Sequence, residues 1–329
     1  MTGPVLVTGA TGFIGSYLVP QLLDDGIPVR VLVRNPRLLP PAVRARVQVF
    51  VADLRDGDAV CRAIEGTDTI LHLAACARAW MRDREAYCAI NVRAVEALLE
   101  AARCADVRRF VHVSTILTLP PFRPAPIRGE ALRPSPYERT KREGEQLVEE
   151  YAASGRHAVI VHPTRVYGPG PLTDANGVTR AAALYLQGRL RVRLSDGGVQ
   201  ANYVYVDDVA TGIRLAAERA RPGTHYVLGG ENASFEEFLD LVAEIGGVHR
   251  RTVPLAPALA LAVGHAAEGW GHLGGLAPIT ARWVRTFLED RRTDGMPALR
   301  DLGYRPRSLR AGLEATIRWL RDEKRRAAA

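Results

Sequence analysis

Through the first half of this 329-residue chain, short apolar runs alternate with stretches of helical period. Residues 5–8, 29–33, 47–51, 69–73, 110–113 and 158–161 are near-continuous apolar runs, and each predicts a strand covered on both faces. Between them, residues 13–23 repeat apolar positions at helical spacing and stop near Asp24-Asp25-Gly26, and helices are predicted over 84–103 and 138–153. Strands of this kind separated by helices predict a parallel sheet, and right-handed crossovers make it a doubly wound α/β sheet. After Pro163 the pattern weakens. Gly168-Pro169-Gly170-Pro171 is a turn cluster. A helix over 179–187, a strand over 204–206 and a helix over 235–245 follow, the last begun by Ser234 with Glu236 and Glu237 in its first turn. The expected division is 1–165 with about 201–222 in the sheet domain, and 166–200 with 223–329 in a smaller C-terminal domain. The tail at 325–329 is expected to fray.

Composition adds limits. The chain is 47% hydrophobic and 24% charged, ordinary values for a globular protein. Cysteines at 61, 76, 88 and 104 form no C-x-x-C pair and lie near no His at ligand spacing, so reduced thiols and no metal are expected. The N-terminus carries no secretory pattern, and the longest apolar stretch, 253–267, is interrupted by Pro254, Pro257 and His265. A cytoplasmic protein with no membrane span is the expectation. The net charge of +8 raises the question of a polyanionic partner. Of the 44 basic residues, two are Lys (Lys141 and Lys324), so 44 − 2 = 42 are Arg, and they are spread along the chain. No helix-turn-helix, RNP or zinc spacing appears, so no nucleic-acid partner is expected.

The first strand runs into Thr8-Gly9-Ala10-Thr11-Gly12-Phe13-Ile14-Gly15, a G-x-x-G-x-x-G loop between a strand and a helix. Gly9 permits the tight turn, Gly12 lets backbone approach a pyrophosphate, and Gly15 lets helix and strand pack closely. The helix N-terminus offers N–H groups and a positive dipole end to that anion. A dinucleotide is the implied ligand. At the end of the second strand, where a carboxylate would hold ribose hydroxyls, this chain has Arg34-Asn35-Pro36-Arg37. Arg34 and Arg37 suit a 2′-phosphate, which favours NADP(H) over NAD(H). Asp53-Leu54 after the third strand suit the adenine edge.

Tyr137 and Lys141 sit four residues apart, on one face of the predicted helix. An ammonium beside the phenol is expected to lower the tyrosine pKa, making Tyr137 a proton donor to a carbonyl or an acceptor from an alcohol. Lys141 is also placed to hold the nicotinamide ribose. Ser114-Thr115 end the fifth strand, where ligands collect in such sheets, and either hydroxyl is a candidate to bond the substrate oxygen.

At these residues the chain resembles the extended short-chain dehydrogenase/reductases, the NAD-dependent epimerase/dehydratase group. The matching segments are TGATGFIG (8–15), DLRD (53–56), LHLAA (71–75), NVRAVEALLEAA (91–102), FVHVST (110–115), YERTK (137–141), VYGPG (166–170), YVYVDDVA (203–210) and LGYRP (302–306). The resemblance implies a Rossmann-type sheet, a bound nicotinamide nucleotide and a Ser/Thr–Tyr–Lys site, with Thr115 the closer positional match to the catalytic hydroxyl. It implies further cofactor contacts at Thr11, Phe13, Ile14, Leu73, Ala74, Ala75, Asn91, Val113, Pro163 and Val166. It also implies a homodimer paired through the helices near 84–103 and 138–153.

Departures within the family point to a branch. Ile116-Leu117 follow Thr115, where the dehydratases carry Asp-Glu, and neither side chain can move a proton. Arg165 precedes Val-Tyr-Gly-Pro where epimerases tend to carry Asn, and Ala201 stands where a diphosphate-gripping Arg is common. His162-Pro163-Thr164 and the Arg after strand two resemble the dihydroflavonol reductase and hydroxysteroid dehydrogenase branch. The expected function is an NADP(H)-dependent oxidoreductase acting on a hydrophobic ketone or secondary alcohol. A nucleotide-sugar epimerase is the alternative, and a non-catalytic nucleotide-binding protein a third reading. Substrate contacts are expected from Ala77, Trp80, Met81, Ile116, Leu117 and Arg165, within segments 76–81, 116–127 and 165–176. Phe122, residues 255–263 and Trp270 are expected to add apolar lining.

Overall fold

A computed structural model describes residues 1, 3–78, 80–81, 83–125, 133–194, 198–273 and 280–328. Its strands are β1 (Val5–Thr8), β2 (Val29–Val33), β3 (Gln48–Val51), β4 (Thr69–His72), β5 (Arg109–Val113), β6 (Ala158–Pro163), β7 (Arg165–Tyr167), β8 (Val192–Leu194), β9 (Gln200–Tyr205), β10 (His225–Leu228), β11 (Glu231–Ser234) and β12 (Val253–Leu255). Its helices are α1 (Gly15–Asp24), α2 (Pro41–Arg44), α3 (Gly57–Ile64), α4 (Glu85–Cys88), α5 (Ala94–Cys104), α6 (Pro136–Ala153), α7 (Gly177–Leu186), α8 (Val206–Arg219), α9 (Phe235–Gly246), α10 (Pro257–His272), α11 (Ala281–Leu288), α12 (Met296–Leu302) and α13 (Leu309–Ala328).

Seven parallel strands make the large sheet, in the order β10-β6-β5-β4-β1-β2-β3. This is the Rossmann-type doubly wound arrangement. The order reverses between β1 and β4, which opens a crevice at the carboxyl ends of those strands. Alternate residues of each strand serve the two faces. Val5, Val7, Val31, Val111 and Val159 meet Leu18 and Leu22 of α1 and Val209 and Ile213 of α8. Leu6, Leu32, Ile70, Phe110 and Ile160 meet the apolar stripes of α3, α5 and α6. A third core lies outside this sheet, where Tyr203 of β9 stacks on Phe238 of α9 beside Leu313 and Ile317 of α13.

Several elements differ from the sequence reading. The helix expected over 84–103 is interrupted by a π-helical segment, Ala89–Arg93, against which Gly144 of α6 packs; a Cβ on Gly144 would lie 2.5 Å from the Asn91 carbonyl oxygen. The strand expected over 204–206 runs from 200 to 205, and Val206 begins α8. Residues 225–228, expected in the second part of the chain, supply the edge strand of the large sheet. Helix α3 begins at a legible signal, Asp56 Oδ1 accepting from the Ala59 N–H at 3.1 Å. Helix α13 continues through the basic tail to Ala328. Among the described residues, no helix is long and apolar enough to cross a membrane, and no group of three His, Cys, Asp or Glu side chains is arranged to hold a metal ion.

Candidate active site

The chain leaves β1 through a turn that only glycine fits. Gly9 has φ +74°, and a Cβ there would lie 2.6 Å from the Ala74 backbone nitrogen. A Cβ on Gly15 would lie 2.8 Å from Ala10 Cα. No side chain caps the start of α1 at Ile14, and Gly12, Phe13, Ile14 and Gly15 line the cleft in front of it. In front of this cradle lies a cleft of about 1080 Å³ that follows the carboxyl ends of the strands. At one end are Arg34, Leu38, Asp53 and Arg55; at the other are Ser114, Thr115, Tyr137 and Thr164. Cradle, uncapped helix and cleft fit a dinucleotide.

Tyr137 is delivered by the first turn of α6. Ser135 caps that helix by accepting from the Glu138 N–H at 3.2 Å, and Pro136 occupies the first helical position. Burial pushes the phenol up to about 12, against the opposing pull of a hydrogen bond with Thr115. The expected lowering by Lys141 is therefore corrected. The Lys141 ammonium is 1% exposed and is spent elsewhere, donating to the Val113 carbonyl at 2.9 Å and to His112 Nε2 at 3.1 Å. Burial draws its own pKa down to about 8, with the Glu145 carboxylate opposing. His112 stays neutral, because burial and then Lys141 hold it well below the usual imidazole range. The two candidate hydroxyls separate here. Thr115 acts on the Tyr137 phenol, whereas Ser114 donates to the buried Glu145.

Residues 5–229 match the model of the NAD dependent epimerase/dehydratase family. The chain belongs to that family. A protein of Stigmatella aurantiaca named as a farnesyl-dihydroquinoline-oxide ketoreductase is 30% identical over 94% of this chain and 94% of its own length. A 3β-hydroxysteroid dehydrogenase/Δ5→4-isomerase of Mycobacterium tuberculosis is 30% identical over 92% of this chain and 86% of its own. The solved Thermus thermophilus UDP-glucose 4-epimerase, a complex with NAD, superposes with a TM-score of 0.73 at 26% identity, covering 97% of this chain and 99% of that one. The protein is an extended short-chain dehydrogenase/reductase enzyme, and the epimerase/dehydratase family binds a nicotinamide cofactor.

Most of the family's positions lie together. Gly9, Thr11, Gly12, Phe13, Ile14, Gly15, Arg34, Asp53, Leu54, Leu73, Ala74, Ala75, Ala77, Met81, Val113, Ser114, Thr115, Tyr137, Pro163 and Val166 all line the cleft. Arg37, Asn91, Lys141, Trp80, Ile116, Leu117 and Arg165 do not. Asn91 is buried beneath it, where Oδ1 accepts from the Cys76 N–H at 2.8 Å and Nδ2 donates to Thr140 Oγ1 at 3.0 Å. Arg165 is held away by Phe287, whose ring centre is 4.4 Å from its guanidinium, and by the Thr286 carbonyl at 3.0 Å. Ile116 and Leu117 fold into a 3-10 turn whose carbonyls at Ile116 and Leu119 accept from Arg291 at 2.8 and 3.0 Å. Trp80 borders a separate recess of about 40 Å³ with Met81, Arg84 and His272. Phe122, under the Arg292 guanidinium, and Leu259, Val263 and Trp270 of α10 are exposed and line neither space. Of the segments expected to form the pocket, residues 79 and 126–127 lie outside the described residues.

Sequence reasoning passed over Arg55 and Arg78, which line the cleft, and Glu145, His112, Thr118 and His162, which lie under it. Arg55 grips Asp53 through two bonds of 2.8 and 3.1 Å, and that contact holds the Asp53 carboxyl below its usual range. Glu145 carried a signal: Tyr137, Lys141 and Glu145 repeat at intervals of four, one stripe on α6.

Proposed function

We propose that this enzyme is an NADP(H)-dependent oxidoreductase interconverting a hydrophobic ketone and its secondary alcohol, with Tyr137 as the general acid/base. The observation that carries the reading is Thr115 and Tyr137 together on the cleft wall, near enough for Thr115 to act on the phenol. The nicotinamide supplies the hydride, and the chain supplies the proton and the geometry. Thr115 orients the substrate oxygen toward Tyr137, and the raised phenol pKa keeps Tyr137 protonated and ready to donate to it. Lys141 holds the end of β5 from below the cleft, through its bonds to the Val113 carbonyl and His112 Nε2.

Arg34 at the adenosine end supports the preference for a 2′-phosphate, and Arg78, also on the cleft wall, adds to it. Arg37 does not line the cleft, which leaves Arg34 as the principal phosphate ligand. Ala201 is buried and offers no cation to a sugar-nucleotide diphosphate, which supports a ketone over a nucleotide sugar. In this reading the seven-stranded sheet, β10 included, and the helices on its faces serve the cofactor, the rest of the C-terminal part serves the substrate, and two copies pair through α5 and α6. The overall likeness to an epimerase that binds UDP-glucose supports the second reading, in which the cofactor is reoxidised within each cycle. Net NADPH oxidation by purified protein separates the two. Consumption with 3-oxoalkanoates, aryl ketones or ketosteroids is expected, while turnover of UDP-glucose without net NADPH loss contradicts the proposal.

A further inference from the structure

A continuous line of hydrogen-bonding side chains runs from the cleft to the far edge of the large sheet. Ser114, on the cleft wall, donates to Glu145 Oε1. Thr118 Oγ1 lies 2.6 Å from the same oxygen and 3.3 Å from His162 Nδ1. His162 Nε2 is 3.1 Å from His225 Nδ1, and the two rings stack with centroids 5.3 Å apart. His225 Nε2 faces Glu149 Oε1 at 3.3 Å. Ser114, Thr118, Glu145 and His162 are buried; His225 and Glu149 are exposed.

The bonds converge on Glu145, which accepts from Ser114 on the cleft side and from Thr118 on the other. His162 Nδ1 also lies 3.1 Å from the Thr115 carbonyl oxygen, which can only accept, so the hydrogen of the neutral ring sits on Nδ1. Nε2 is then the acceptor, and His225 Nδ1–H is its donor. Thr118 accepts from His162 and shares its one hydrogen between Glu145 Oε1 at 2.6 Å and the Thr115 carbonyl at 2.8 Å, while Ser114 donates to Glu145. The charged or titratable groups facing His162 are Glu145, Lys141 and Arg142 of α6, His112 of β5 and His225 of β10. Burial holds His162 down to about 4, so it relays a proton without trapping one.

We propose that this line is a proton path that resupplies the cleft during carbonyl reduction. It rests on the reading of Tyr137 above. Each reduction takes the phenol hydrogen of Tyr137. The hydrogens then move inward: His225 Nδ1 to His162 Nε2, His162 Nδ1 to Thr118 Oγ1, and Thr118 to the Glu145 carboxylate; the protonated Glu145 then donates to Ser114, whose hydroxyl turns from the carboxylate into the cleft and gives its own hydrogen to the Tyr137 phenolate. The balance is one proton taken from solvent at His225 and one phenol restored, with no electrons moved.

Two measurements test the path. The first needs no substrate: nitrogen-15 NMR of histidine-labelled protein. The expected result is a neutral His162 with its hydrogen on Nδ1, whose ring shifts follow pH in the parent chain and cease to do so in His225→Ala. A hydrogen on Nε2, or shifts indifferent to His225, overturns the path whatever the activity. The second is steady-state reduction, over many turnovers, with NADPH and the most active ketone of the panel above. His225→Ala is expected to slow the proton-limited step roughly tenfold with KM unchanged, and imidazole in solution to restore it. An unchanged rate and unchanged solvent isotope effect overturn the role. Failure of every ketone in the parent chain would instead refute the oxidoreductase reading, and the NMR result would still decide whether the path exists.

Discussion

Lys141 is one of two lysines beside 42 arginines, and it occupies the most enclosed cationic position beneath the cleft. A guanidinium would not fit between Val113 and His112, where a compact ammonium makes two bonds. Burial leaves its folded pKa at about 8 against 10.5 for the free side chain. Between those values the unfolded chain binds more protons, so this group makes the protein more stable as pH rises from about 8 to 10.5 and costs stability below that window. Denaturant unfolding across that range should show the parent chain gaining roughly 3 kcal/mol relative to Lys141→Met. Equal slopes for the two proteins would mean that Lys141 is not desolvated. Arg34 makes a second prediction at this scale. Arg34→Ala should weaken NADPH binding about 10- to 100-fold, the value of one or two charge-assisted bonds, and leave NADH nearly unchanged. Equal loss for both cofactors would count against a 2′-phosphate contact. The residues legible in the sequence were those whose chemistry needs a fixed spacing: the three glycines, Tyr137 and Thr115. Arg165 and Trp80 were not, because nothing in a linear pattern tells that Phe287 captures one and His272 meets the edge of the other at 6.2 Å.

At the scale of elements, the strands of the large sheet up to β6 were legible because each is a short apolar run closed by a polar turn. β10 was missed because His225-Tyr-Val-Leu228 is half-exposed at the sheet's edge and lacks that signature. The break at Ala89–Arg93 escaped for another reason: it is a tertiary fit, made by the close approach of α6 to the Asn91 carbonyl at Gly144. Gly144→Ala should therefore force α6 off this segment, with a cost of about 1–3 kcal/mol in urea unfolding despite alanine's higher helix propensity. A stabilised variant would contradict the fit. A buried ion network also joins elements remote in sequence. Arg285 of α11 donates to Glu138 of α6 at 2.5 Å, Arg291 bonds Glu289 at 2.7 Å, and Arg291 holds the turn after Thr115. The C-terminal part of the chain thus fixes both the residue after Tyr137 and the loop after Thr115.

For the whole molecule, many arginines stand in surface pairs, such as Arg310 with Glu244 and Arg156 with Asp106. Such pairs are worth little singly. The outward faces of α5 and α6, with Glu96, Glu100 and Arg103 on one and Arg139 and Arg142 on the other, are the surfaces assigned to a second copy. Sedimentation equilibrium at micromolar concentration should return twice the 35.9 kDa of the chain, and a monomer there contradicts the assignment.

The proposed reduction turns on one hydroxyl. Tyr137→Phe removes that oxygen and little else, so steady-state NADPH oxidation with a hydrophobic ketone should fall by a factor of 10² or more, while NADPH titrated into the variant binds as tightly as to the parent. A Tyr137→Phe enzyme that still reduces the ketone at the parent rate would show that another group gives the proton.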